Sequence, residues 1–421
     1  MAHPLFKALK DLNGNARGCV YTEPLWGIPF NLYVPYVSVY MLAFGLTDAQ
    51  IGAIISIGLV FQFVFSLLSG AITDKLGRKR TTLIFDILSW SIPCLIYAFA
   101  HNFYYFLVGA VINSIWRITM NSWSCLLVED TEPKQLLDIY TWIYISQLLV
   151  GFVAPLAGLL IKAFTLIPTM RALYIFAFFM FTTKFIVMNA MVTETKHGLI
   201  RMEETKHQSL FLLLGEYRDV FKQILRAPQT LYTIGIMLAL SACQTVNGTF
   251  WSILVTKKLM IPAQGLSIYP FFRSVVMLLF YFFVMPKIKE INFRNPMLIG
   301  AAGFVISQVM LITMPQQSYV LLGVSTLIDA VSLSTVSILI DRMVALTVEA
   351  KERARILAII YVAVLSFTSP FGWIAGLLSE VNRNLPFILN MIMITFGGIL
   401  VYLAARHADK QVDVLPTSEA V

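Results

Sequence analysis

Gly70-Ala-Ile-Thr-Asp74-Lys75-Leu-Gly77-Arg78-Lys79-Arg80 places five charges in one short turn between two long apolar runs. Charges at that density need water, while the runs on either side are each long enough to cross a bilayer. The stretch therefore reads as a polar loop between two membrane helices. The whole chain agrees with its neighbourhood: 421 residues, 58% hydrophobic and 13% charged, with a mean hydropathy of +0.77. Such a composition is too apolar for a soluble protein and indicates a polytopic membrane protein in contact with the lipid bilayer.

Applying the requirement of about 20 mostly apolar residues per span along the chain predicts twelve spans, at 20–44, 48–71, 81–100, 103–127, 138–163, 171–192, 229–255, 264–285, 296–314, 318–340, 355–379 and 385–405. The longest polar connection, 193–228, carries an amphipathic piece around Glu216 to Arg226 and reads as a linker between halves. The expected organisation is a terminal segment 1–17, a six-helix bundle 18–192, the linker 193–228, a second six-helix bundle 229–405 and a tail 406–421. Met1 to Asn15 reads as a short amphipathic helix rather than a cleavable signal. With the N-terminus inside, most of the 31 Lys and Arg residues fall in inner loops and tails. Both termini are thus expected in the cytoplasm of a multi-pass cell-membrane protein. This sorting also accounts for the net charge of +8 without any nucleic-acid partner.

The halves repeat weakly. Pro286-Lys-Ile-Lys-Glu290-Ile-Asn-Phe-Arg294 follows span eight as the Gly70 stretch follows span two, with acid and Arg at the same spacing and both glycines lost. Phe-Val-Ala-Pro155-Leu-Ala-Gly158 in span five matches Phe-Thr-Ser-Pro370-Phe-Gly372 in span eleven. Repeats of this kind imply two halves related by an axis along the membrane normal, with a substrate site between them near the midplane.

The pattern Gly-x-x-x-Asp-Lys/Arg-x-Gly-Arg-Lys/Arg-Arg at Gly70 to Arg80 resembles the loop signature of the major facilitator superfamily, which lies between the second and third helices on the cytoplasmic side. The resemblance implies an all-α fold of two pseudo-symmetric six-helix bundles, with spans one, four, seven and ten lining a central cavity. It also implies a latch made by Gly70, Asp74, Gly77 and Arg78, in which the acidic end of span four, Glu129 and Asp130, pairs with Arg78 and Asp74 meets the start of span eleven. Asp86, six residues after Arg80, is expected to join that charge network.

Charges at membrane depth cost about 2.5 to 3.5 kcal/mol each on insertion scales, so they mark functional positions. Arg117 in span four and Asp329 in span ten occupy nearly equivalent places in the two halves, where they could face each other or form a permanent ion pair. Asn113, Arg117 and Asn121 recur every four residues, and so predict a polar face toward the cavity. Gln244 and Trp251 offer a similar face in span seven. Trp26 and Tyr33 in the Pro-rich first span, with Tyr144 and Gln147 in span five, would add stacking planes and hydrogen-bonding groups. Alternatively these aromatics pack helix interfaces. Asp329 and Glu23 are the candidate proton-coupling acids, whereas Lys184 and Arg273 read as side chains that snorkel toward water.

The four cysteines, Cys19, Cys94, Cys125 and Cys243, stand singly, so free thiols are expected rather than disulfides or metal ligands. No histidine falls in a predicted span, which excludes a His relay. No phosphate loop, metal motif or nucleophile elbow is present, so neither an enzyme nor a cofactor is expected, and transport must draw on a gradient. The favoured function is proton-coupled uptake, by a monomer, of a small polar organic solute: a sugar, glycoside or sugar acid. The alternative is a proton-coupled exporter of drugs or amphipathic metabolites, for which span five carries only fragments of the expected glycine pattern. A transporter-like sensor would need a larger partner-binding tail than the sequence offers.

Overall fold

A computed structural model describes residues 9–132, 135–207, 228–283, 294–347 and 353–414. The predicted amphipathic piece at 216–226 and the second copy of the loop at 286–293 lie outside these residues. Among the described residues, eleven helices are long and apolar enough to span a membrane, from Asp48–Leu76 to Leu385–Ala404. The first predicted span is present but interrupted: a helix Gly14–Tyr33 passes through a tight turn at Val34–Tyr36 into Val37–Ala43. Pro35 explains the interruption, since it removes a backbone donor and crowds the preceding turn, whereas Pro24 and Pro29 are accommodated within the first helix. With this broken helix the spans number twelve.

Proline marks other irregularities. Pro93 follows a π-helical segment Ile87–Ser91 in the third span, and Pro155 follows a 3-10 turn at Gly151–Val153 in the fifth. The second span begins on a capping box, in which the Thr47 hydroxyl and the Gln50 side chain exchange bonds with each other's backbone N–H groups. It ends at Gly77, whose φ of +85° few other residues would tolerate. The first span starts at Gly14, after helical residues 9–11 and a break at 12–13, within the stretch expected as a terminal helix.

The halves meet most closely where the second span crosses the eleventh. A Cβ on Gly52 would run into the carbonyl of Gly372, and one on Gly376 would stand 2.7 Å from the Asp48 carbonyl. Small residues let the two backbones approach this far. Polar contacts tie the same crossing: the Ser379 hydroxyl donates to Asp48 at 2.7 Å, Ala49 N–H to Glu380 at 3.2 Å and Trp373 N–H to Ser56 at 2.7 Å. The fifth span approaches the eighth similarly through Gly151 and Gly158. Many large apolar side chains face outward, Val320 and Phe179 among them, as a lipid-facing surface requires.

Candidate functional site

A cavity of about 530 Å³ lies between the halves. On the seventh span Gln244, Asn247, Gly248 and Trp251 share one helix face and line it. A side chain at Gly248 would meet nothing within 4 Å, so this glycine leaves its volume to the cavity. The tenth span adds Asp329, the ninth Gln308, the eighth Tyr269 and Arg273, and the first Asn31. Trp251 and Tyr269 meet edge to face, with centroids 5.6 Å apart.

Asp329 is held by amides. Asn247 Nδ2 donates to its Oδ1 at 3.1 Å and Gln308 Nε2 to the same oxygen at 3.0 Å, while Asn390 Nδ2 donates to Asn247 Oδ1 at 2.9 Å. The seventh and ninth spans thus converge on one carboxyl and the twelfth backs Asn247, because an amide in an apolar bundle must find its partner on a neighbouring helix. Arg273 supplies the positive charge that acts on Asp329. The site can therefore offer amide donors and acceptors, two aromatic faces, a carboxyl and a guanidinium to a solute of modest size.

Of the residues singled out from sequence as site candidates, Gln244, Trp251 and Asp329 line this cavity, and Arg273, expected to snorkel toward water, lines it too; the other site candidates lie elsewhere. Arg117 donates Nε–H to Gln62 at 3.0 Å and lies 4.1 Å above the Trp116 ring, outside the cavity lining, so it is not the basic neighbour of Asp329. Asn113 donates to the Ser89 carbonyl at 2.7 Å and Asn121 to Thr73 at 3.3 Å. The expected polar face of span four instead stitches it to the second and third spans. Trp26 stacks on Phe30 at 4.4 Å, and Tyr33 is buried against Tyr174 at 4.9 Å. These aromatics form the interior of the first half. Tyr144 is half-buried and Gln147 exposed, both outside the cavity lining.

The charged loop is tied within the first half. Arg78 grips Glu129 with Nε and Nη2 at 3.1–3.2 Å, and its Nη1 lies 3.1 Å from Asp74. Thr195 donates to Glu129 as well. The Glu194 carboxylate accepts from the backbone N–H groups of Arg78 at 2.9 Å and Lys79 at 3.0 Å, capping the helix that starts there. Asp74 pairs with Arg201 at 2.9 Å from the short linker helix Lys196–Thr205; the side chains at the start of span eleven, where its partner was expected, lie outside the described residues. That bond holds the Arg201 guanidinium above its ordinary pKa. Gly70 is half-buried inside the second span and Asp130 is exposed. Asp86 does not join this network: it is buried beside Lys184 and Glu23, which bond each other at 3.1 Å. Lys184 is consequently a buried ion-pair partner, 5% exposed, rather than a snorkelling side chain.

Sequence reasoning missed Asn247, Gln308 and Arg273 as site residues. Asn247 stands three residues after Gln244 and four before Trp251, a spacing that could have placed it on the same face. Gln308 is an isolated amide in an apolar run, a weaker signal.

Comparison with known proteins gives consistent results. The model of the Major Facilitator Superfamily matches residues 26–288. A crystal structure of the nucleoside transporter NupG superposes with a TM-score of 0.70 at 17% identity, covering 94% of this chain and 99% of that one. A point mutant of the peptide transporter POT in complex with sulfate gives 0.70 at 11% identity over 97% and 99%. The human organic anion transporter MFSD10 gives 0.64 at 13% identity over 96% and 100%. Among curated proteins, the quinolone resistance protein NorA of Staphylococcus aureus (strain MRSA252) is 26% identical over 103 residues, which is 24% of this chain and 26% of NorA. The match thus spans about a quarter of that relative's length.

Proposed function

The chain belongs to the Major Facilitator Superfamily, and we propose that this multi-pass membrane transporter, which is not an enzyme, takes up a sugar, glycoside or sugar acid with a proton by alternating access. The two bundles, 18–192 and 229–405, rock about the cavity while both termini stay in the cytoplasm, and the unit that works is a monomer. The carrying observation is the cavity itself. Amides at Gln244 and Asn247 suit ring hydroxyls, Trp251 and Tyr269 offer apolar planes for a ring face, and Arg273 can hold a carboxylate or hydroxyl. Asp329, which shares its carboxyl between two amide donors, is a candidate proton carrier with Glu23.

A thermal-shift screen of the full-length protein against sugars, sugar acids, nucleosides and lipophilic cations tests the reading. A ligand at 100 times its Kd stabilises the folded state by about 2.7 kcal/mol. The expected result is stabilisation by a sugar, nucleoside or sugar acid that disappears in Arg273→Ala. The short likeness to NorA favours a second reading, export of drugs or amphipathic metabolites. Stabilisation by lipophilic cations alone would select it.

A further inference from the structure

The first bundle contains three ionisable side chains that the cavity does not use: Glu23 on the first span, Asp86 on the third and Lys184 on the sixth, each at least nine-tenths buried. Lys184 Nζ lies 3.1 Å from Glu23 Oε2, so its charge is committed to that acid. Asp86 faces the pair at longer range and has the Thr119 hydroxyl of the fourth span beside it. Cys19, one turn before Glu23, is the remaining titratable neighbour, and the Phe185 ring lies 5.7 Å from Lys184 Nζ. Two acids against one base leave a formal charge of −1 in the interior of the bundle.

The cluster has a polar route out. Arg78, Thr82 and Asp86 recur every four residues on one face of the third span. On the facing fourth span Thr119, Ser122 and Glu129 form the matching stripe, and the Thr82 and Ser122 hydroxyls bond each other at 2.7 Å. Both stripes end at the Arg78–Glu129 pair. By the helical rise, Glu23, Asp86 and Lys184 all sit about 10–13 Å in from the helix ends at that side.

From this geometry we propose that Glu23, Lys184 and Asp86 form a proton-binding site, with Asp86 as the carrier and the Thr82–Ser122 hydroxyls as its connection to water. The inference rests on the proton-coupled reading above and moves the proton from the cavity to the interior of the first bundle. The unpaired carboxylate of Asp86 takes one proton to become a carboxylic acid, and the cluster goes from −1 to neutral. Losing that proton restores the buried charge. A hard metal ion, which needs several oxygen ligands, finds a single free carboxylate next to an ammonium and is disfavoured. Because the route ends at Arg78 and Glu129, the proton exchanges with water only when that pair parts.

Infrared spectroscopy of the full-length protein in lipid vesicles, titrated with pH, reads protonated buried carboxyls directly through their C=O stretch. Wild type is expected to show a titrating component that Asp86→Asn removes and Asp329→Asn keeps. Lys184→Gln should roughly double the component, because Glu23 then lacks its cation and takes a proton too. This second variant changes the signal in the opposite direction, so it decides the matter even if Asp86→Asn does not fold. A component lost in Asp329→Asn and kept in Asp86→Asn overturns this site but leaves proton coupling in place. No titrating component in wild type overturns both.

Discussion

Two glutamates do the same chemical job at opposite ends of the molecule. Glu194 accepts the backbone N–H groups that open the third span, and Glu380 accepts Ala49 N–H at the opening of the second. Each puts a carboxylate at a positive helix end. The difference is ownership: Glu194 stands at the start of the linker that directly follows the half it caps, whereas Glu380 reaches across from the other half. Their surroundings follow suit. Around Glu194 the charges Asp74, Arg78, Glu129 and Arg201 close on each other within the first half and its linker helix. Around Glu380 the bonds run between halves and accompany glycines that bring two backbones together. Bonds at one end thus stay within one half and its linker, and bonds at the other join the two halves.

The comparison can be broken most forcefully at Arg78. Its side chain is 4% exposed and Glu129's 15%, and truncating one member of a buried pair costs about 3–5 kcal/mol because the other charge is stranded. Arg78→Ala is expected to lower the unfolding midpoint of the full-length protein sharply. A protein that melts as wild type but relabels its cavity would mean that the pair acts as a gate between halves instead.

Next in size is Gly52→Leu. The side chain must enter space held by the Gly372 backbone, and overpacking of this kind costs about 1–3 kcal/mol. Since only the closed crossing suffers, the penalty should appear as a shift of about 5- to 150-fold between conformations. A cysteine placed at the cavity residue Ser274 should label faster from the Asp48 side in this variant, with the unfolding midpoint little changed. Equal labelling would show that the glycine contact does not seal that side.

What could be read in the sequence follows the same division. The spans were legible because lipid imposes length and hydropathy on every one of them; the Gly70 to Arg80 stretch, expected as a loop, instead continues the second helix to Leu76 and opens the third at Arg78, broken only at Gly77. Pairing was not legible. Asn113, Arg117 and Asn121 repeat with helical period, but period says only that they share a face, not whether the face meets a cavity or a neighbouring helix. In the fold that face meets Ser89, Gln62 and Thr73. Asp329 stands out by its depth and lines the cavity, yet its hydrogen-bond partners come from two other spans, and no spacing along one helix reports them. Lys184 looked free to snorkel until the first span brought Glu23 to it.

The two caps themselves give the smaller effects. Replacing a capping side chain costs about 0.5–2 kcal/mol, and Glu194→Gln should show this as a modest fall in the unfolding midpoint with cavity labelling unaltered. It would sharpen the view that this end serves one bundle.

Glu380→Gln should do the reverse and least of all. A carboxylate at an exposed helix N-terminus contributes at most about 1 kcal/mol, and salt screens it. The cap is present only while the halves are closed around Asp48, so its loss changes the balance between conformations rather than the stability of either bundle. The expected result is a rise of at most about fivefold in labelling of the Ser274 cysteine from the Asp48 side. That rise should shrink as ionic strength increases, because wild type loses the same interaction to screening. A salt-independent change would assign the effect to the remaining bonds at the crossing, Ser379 to Asp48 and Trp373 to Ser56, and would make the glycine contact, rather than the charge, the element that holds this end shut.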